Sequence, residues 1–134
     1  MGRPDFSGMW NFNLERSSLE IPAPDSSVFV IRHHEPAFHL ERTHVFGGMR
    51  DVFSIDVTTD GRGVELTHGD TVIHVKLYWE ADDLVFYSEL RRGEGSGTNI
   101  VRYKLTDGGR TLIALERLTI GEHSHANAWV FDRM

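Results

Sequence analysis

The chain contains no cysteine. Disulfide cross-links, thiolate metal ligands and a cysteine nucleophile are therefore excluded, and the compartment stays open. Proline is sparse, and two of the four, Pro22 and Pro24, fall in one short segment. Helical periodicity is close to absent. No run of 18 apolar residues occurs, so no membrane-spanning helix is encoded. An excess of positive charge is also missing. The formal net charge is −6, which argues against a nucleic-acid partner, because such proteins present a basic face. No block of like charge is long enough to act as an interaction tail. The opening MGRPDFSG has no apolar segment and reads as neither a signal peptide nor an anchor. The expected location is the cytoplasm, with a removed leader left open.

What the chain does have is period-two alternation. Segments rich in Val, Ile, Phe, Tyr and Thr alternate apolar with polar residues, which is the pattern of half-buried strands. Ten strands are predicted, at 8–14, 28–34, 37–45, 51–58, 63–67, 71–80, 84–91, 98–106, 111–119 and 124–133. Short Gly- and Asp-rich links such as Thr59-Asp60-Gly61, His68-Gly69-Asp70 and Asp107-Gly108-Gly109 read as hairpin turns. RRGEGSGT, residues 91–98, reads as a longer flexible tip. The one long link, 15–27, cannot be a continuous helix because of Pro22 and Pro24, although a helical turn near Ser17–Glu20 is allowed. Sequential strands joined by hairpins form an antiparallel meander. Closing it into an up-and-down barrel removes its edges. The fold class expected is therefore all-β, a single antiparallel barrel of about ten strands over residues 1–134, with an open sandwich as the alternative.

The two ends of the chain support closure. Alternation places Trp10, Phe12 and Leu14 on one face of the first strand, and Trp129, Phe131 and Arg133 on one face of the last. In a closed barrel these strands are neighbours. Arg133 then reaches the Trp10 ring for a cation–π contact of about 0.5–2 kcal/mol. Gly8 marks a place with no room for a side chain.

Gly8-x-Trp10 with Arg133 at the other end resembles the signature of the calycins, the superfamily of lipocalins and fatty-acid-binding proteins. Length and strand number are more similar to the fatty-acid-binding branch. DFSGMWNFNLERS, HHEP, TTDG, LTDGGRTLIALER and VFDR look still more like a group of bacterial lipocalin-like proteins without assigned function. The chain departs from these patterns too. Segment 15–27 is too short for the two helices that fatty-acid-binding proteins insert after strand one. Their Arg-x-Tyr carboxylate clamp is replaced by Phe131-Asp132-Arg133. The Gly-rich extension of the haem-binding nitrobindins is missing. The resemblance implies a barrel with a cavity and leaves the ligand open.

Assigning faces by the apolar residues of each strand points Phe38, Leu40, Phe53, Phe86 and Trp129 inward. The same assignment turns the polar residues His33, Arg42, His44, Tyr103, Glu116, His125 and Asn127 inward. An apolar cavity with a few placed polar groups is the usual form of a small-molecule site. The expected ligand-binding set is Phe38, Leu40, Arg42, His44, Phe53, Phe86, Tyr103, His125 and Trp129. An inward Arg42 needs a partner, either Glu116 or an anionic head group assisted by Tyr103.

The histidines at His33-His34, His39, His44 and His123-x-His125 raise a metal reading. Solvated turn histidines are the plainer one, so no metal site is expected. No cofactor is expected either, with haem on His44 or His125 as the alternative. The partners expected are a small apolar or amphipathic molecule, and for the chain itself a monomer or homodimer. Burying about 300 Å² of ligand would support micromolar affinity. The rival function is a cofactor-free or haem-dependent enzyme of isomerase or cyclase type, using His44, His125 and Glu116 in the same cavity. No nucleophile elbow, phosphate loop, HExxH or paired-carboxylate motif supports it. A barrel with a filled core, acting through its surface, is the third possibility.

Overall fold

The computed structural model describes residues 3–134. Ten antiparallel strands form one sheet: β1 Gly8–Phe12, β2 Ser26–His34, β3 Ala37–Phe46, β4 Met49–Thr58, β5 Val64–His68, β6 Thr71–Glu80, β7 Asp83–Arg92, β8 Gly95–Thr106, β9 Thr111–Ile120 and β10 His123–Arg133. The only helical element among the described residues is a 3-10 turn at Asp107–Gly109. The hydrogen-bonded order is β4-β3-β2-β1-β10-β9-β8-β7-β6-β5. The ends of the chain therefore meet in mid-sheet, and the sheet curls into a nearly closed barrel.

Closure at the termini follows the expected register, with Trp10 opposite Arg133 and Phe12 opposite Phe131. Trp10 is fully buried. The Arg133 guanidinium lies 4.2 Å from the centre of its ring. The guanidinium also donates to the Ser7 carbonyl at 2.8 Å and the Gly109 carbonyl at 3.0 Å. Gly8 sits beneath it at φ 147°, and a Cβ there would collide with Arg133 Nη1.

The barrel is sealed there but not elsewhere. β4 and β5 form the two ends of the sheet and share no ladder. The chain leaving β4 turns under β6 instead, through an Asp60–Tyr78 bridge and a Gly61 N–H to Leu77 carbonyl bond of 2.9 Å. That detour carries it away from β4, so this edge survives where full closure was expected.

Two links also differ from the sequence reading. Residues 91–98 are not a long tip: β7 runs to Arg92 and β8 starts at Gly95. Gly97 lies within β8, opposite Ile120 of β9, and the position takes glycine because a Cβ there would come 2.6 Å from the Thr119 carbonyl. The link after β1 has no helical turn at Ser17–Glu20. Ser18 instead bridges Ala128 of β10, and Leu19 and Ile21 pack on the core.

Alternation places the barrel's interior as expected. Phe29, Ile31, Phe38, Leu40, Phe53, Ile55, Val57, Val75, Leu77, Phe86, Val101, Tyr103, Leu112, Trp129 and Phe131 are all buried. Antiparallel order puts the N-terminus and the β2–β3, β6–β7 and β8–β9 turns at one end, here the lower. The β1–β2 link and the β3–β4, β5–β6, β7–β8 and β9–β10 turns lie at the upper end.

Gly8→Ala is predicted to lower stability by about 2–3 kcal/mol, since it combines backbone strain with displacement of Arg133. Thermal unfolding checks this; an unchanged midpoint would contradict the role given to Gly8.

Candidate functional site

The lower end is closed. Phe6 is fully buried and packs against His33 and Trp79, with ring centres 6.0 and 6.1 Å away. His33 Nδ1 accepts the Phe6 N–H at 3.2 Å, so its Nε2 carries the proton and donates to Glu35 Oε1 at 3.0 Å. Glu35 also accepts from Trp79 Nε1 at 2.9 Å and from the Thr59 hydroxyl at 2.8 Å. Burial alone would raise the Glu35 carboxyl, but these hydrogen bonds outweigh it and hold it below the usual carboxylate range.

Toward the upper end the interior holds a cavity of about 80 Å³. Its apolar wall is Phe29, Leu40, Phe53, Phe86, Val101, Ala114 and Trp129, and its polar groups are Arg42, His44, Asn99, Tyr103 and Glu116. Aromatic rings keep it small. Phe29 packs on Phe131 at 4.4 Å and on Tyr103 at 6.5 Å, and Tyr103 meets Phe86 edge-on at 6.5 Å. Larger concavities exist outside. An open groove of about 810 Å³ crosses the outer face of β5–β8, and one of about 560 Å³ lies beside the seam. The first is lined by solvated charges such as Glu65, Lys76 and Glu89, so size alone does not make it a site.

Of the sequence-expected binding set, Leu40, Arg42, His44, Phe53, Phe86, Tyr103 and Trp129 come together around the cavity. Phe38 does not. It lies near the lower end, 5.4 Å from the His33 ring, and lines the groove beside the seam. His125 is half-buried on β10 opposite Leu118 and does not line the cavity. Glu116 and His44, two of the three candidate catalytic groups, face the cavity from β9 and β3; His125 is separate from them. His123 is an exposed strand residue rather than part of a turn. Among the described residues, no three His, Cys, Asp or Glu side chains are grouped to hold a metal ion, and no helix is long and apolar enough to cross a membrane.

Arg42 does not pair with Glu116. Its Nη2 donates to Asp51 Oδ2 at 2.9 Å, and its guanidinium lies 5.3 Å from the centre of the Phe53 ring. Burial pulls the guanidinium below its usual range, and Asp51 opposes that pull. Asp51 Oδ1 also binds His68 Nε2 at 2.9 Å, which ties β4 to β5 across the open seam. Glu116 accepts three hydrogen bonds from neutral donors: Asn99 Nδ2 at 2.9 Å, Asn127 Nδ2 at 3.0 Å and Trp129 Nε1 at 2.9 Å. The Glu20 N–H in turn bonds Asn127 Oδ1 at 2.7 Å, so the β1–β2 link orients the cluster. Burial and the nearby Glu116 carboxylate push the Tyr103 hydroxyl upward, which keeps it protonated. His44 stacks on Trp129 at 5.4 Å and 16°, with Nδ1 2.8 Å from the buried Ser27 hydroxyl. Burial, assisted by Arg42, lowers its pKa to about 4, so the ring is neutral at pH 7.

Sequence reasoning missed Ser27, Asp51 and Asn99. The signal was present. Each lies two residues before the first apolar inward residue of its strand: Phe29, Phe53 and Val101. Carrying the period-two face one step further would have found all three.

No family model matches the sequence, and no curated protein does either. Solved structures do. A secretary abundant heat soluble (SAHS) protein from Ramazzottius varieornatus, described from a dimer sample, superposes with a TM-score of 0.69 at 14% identity, over 100% of this chain and 98% of that one. Zebrafish ileal bile acid-binding protein complexed with cholic acid superposes with a TM-score of 0.65 at 13% identity, over 96% of this chain and 98% of that one. At such identities the likeness establishes the fold, that of the calycin-like barrels.

The depressed His44 pKa has a consequence for stability. Unfolding returns the ring to about 6.5, so the unfolded chain binds more protons between pH 6.5 and 4. Stability should fall as pH drops through that window. The loss is expected to be about 1–2 kcal/mol, below the full linkage value because the ring keeps some contact with water. Denaturant titrations of the wild type and His44→Gln at pH 7 and pH 4.5 check it. The variant should lose less stability on acidification, and equal losses would contradict the assignment.

Proposed function

We propose that the barrel binds a compact apolar or amphipathic molecule in the cavity between Arg42, Tyr103, Glu116 and Trp129. The observation that carries this reading is the cavity itself. Protein interiors leave few voids larger than a water molecule, and this one combines an apolar wall with a few convergent polar groups. A likeness of fold to a protein whose structure holds cholic acid supports the same reading.

The volume bounds the ligand. A space of about 80 Å³ is much smaller than the several hundred Å³ typical of drug-sized sites. It takes a molecule of about five heavy atoms. A ceiling of about 1.5 kcal/mol per atom caps such a ligand at about 7.5 kcal/mol, so the micromolar affinity the sequence suggests is the upper limit and an ordinary ligand of this size binds more weakly. A porphyrin is far too large for this space, so no haem role is proposed for His44 or His125.

Titration with benzene and with 1-butanol, followed by NMR, tests the reading. Both are expected to shift the Trp129 indole N–H, with millimolar to high-micromolar dissociation constants. Ala114→Leu places a larger side chain in the cavity wall and should abolish both shifts while the fold is kept. If neither molecule moves the Trp129 signal of the wild type, the proposal is wrong.

A further inference from the structure

Two buried side-chain polar atoms are without a hydrogen-bond partner among the described residues, and they are Arg42 Nε and Asn99 Oδ1. Both residues line the same cavity. One is a donor and the other an acceptor. The assignment of the Asn99 amide is not arbitrary: its nitrogen must face the Glu116 carboxylate, which can only accept, so its oxygen is the free atom. A buried polar atom left without a partner is costly, and two of opposite kind on residues that line one space suit an occupant that both accepts and donates.

The charges around the space narrow the occupant further. Arg42 is the one cation, and Asp51 already neutralises it. Glu116 takes its hydrogen bonds from Asn99, Asn127 and Trp129 and forms no salt bridge among the described residues. His44 is neutral and Tyr103 protonated at pH 7. The set thus carries one more negative than positive charge. A carboxylate would face Glu116 in a poorly solvated space and would bring no donor for Asn99 Oδ1. An ammonium would face Arg42 and bring no acceptor for Arg42 Nε. A hydroxyl answers both orphans, accepting from Arg42 Nε and donating to Asn99 Oδ1.

Resting on the binding role proposed above, we infer that the cavity selects an uncharged alcohol head group over a carboxylate or an ammonium of the same size. This selection disfavours the anionic head group that stood beside Glu116 as an alternative partner for an inward Arg42. Asp51 is the reason: through its bond to Nη2 it already neutralises the charge on Arg42 that such an anion would have answered.

A matched series tests the inference. 1-Butanol, butyrate and butylammonium share a four-carbon body and differ in head-group charge. Titrated at pH 7 and followed at the Trp129 indole and the Asn99 side-chain amide, 1-butanol is expected to bind at least about tenfold more tightly than either ion. In Glu116→Gln, checked for folding by circular dichroism, the preference over butyrate should narrow about tenfold. Butyrate or butylammonium binding as tightly as the alcohol to the wild type overturns the inference and leaves the binding role standing. Benzene binding with no response to 1-butanol does the same. No response to benzene or to any of the three shows a space holding water only, and overturns both.

Discussion

Everything inside this barrel depends on the pairing of β1 with β10, clamped by Arg133 over Trp10. The sheet's other margin, between β4 and β5, has no ladder to hold it. Curvature must therefore be set where the ends of the chain meet. The guanidinium stacks on a fully buried indole and donates to two carbonyls from separate loops. It fastens the N-terminal segment, the β8–β9 turn and the last strand at one point. Gly8 is the residue that makes room for it.

The two ends of the barrel are built differently. Below, Phe6, Trp10, His33 and Trp79 fill the tube, and Glu35 gathers hydrogen bonds from three elements. Above, polar side chains replace apolar ones at the inward positions: Ser27, His44, Asp51, Asn99 and Glu116. Polar groups cannot pack as densely as rings without satisfying their hydrogen bonds. The cavity lies where that condition meets the aromatic layer. Asp51 has a double role there, neutralising Arg42 and reaching His68 across the seam, so the cavity's electrostatics and the closure of the open edge share one carboxylate.

Arg42 shows where the sequence is misleading. An inward arginine with an inward glutamate invites an ion pair, and both residues do line one cavity. Yet Asp51, opposite His44 on the neighbouring strand, is the diagonal neighbour of Arg42 across the β3–β4 hairpin. Short-range register wins over a partner four strands away around the barrel. Phe38 shows a second limit. It alternates correctly and is buried, but alternation says which face a residue takes and not how far along the tube it lies.

The sequence by itself determined the strands, their faces and the meeting of the two ends, apart from Leu14, which lies beyond the end of β1 and is exposed, because period-two alternation and hairpin turns are local properties of the chain. It also contained the polar residues of the cavity, at inward positions one step beyond the apolar runs. Tertiary structure alone decided which of them touch, how little space the aromatic rings leave, and that the barrel's unsealed edge falls between β4 and β5. Those outcomes depend on the stagger and curvature of strands distant in sequence, which no local pattern encodes.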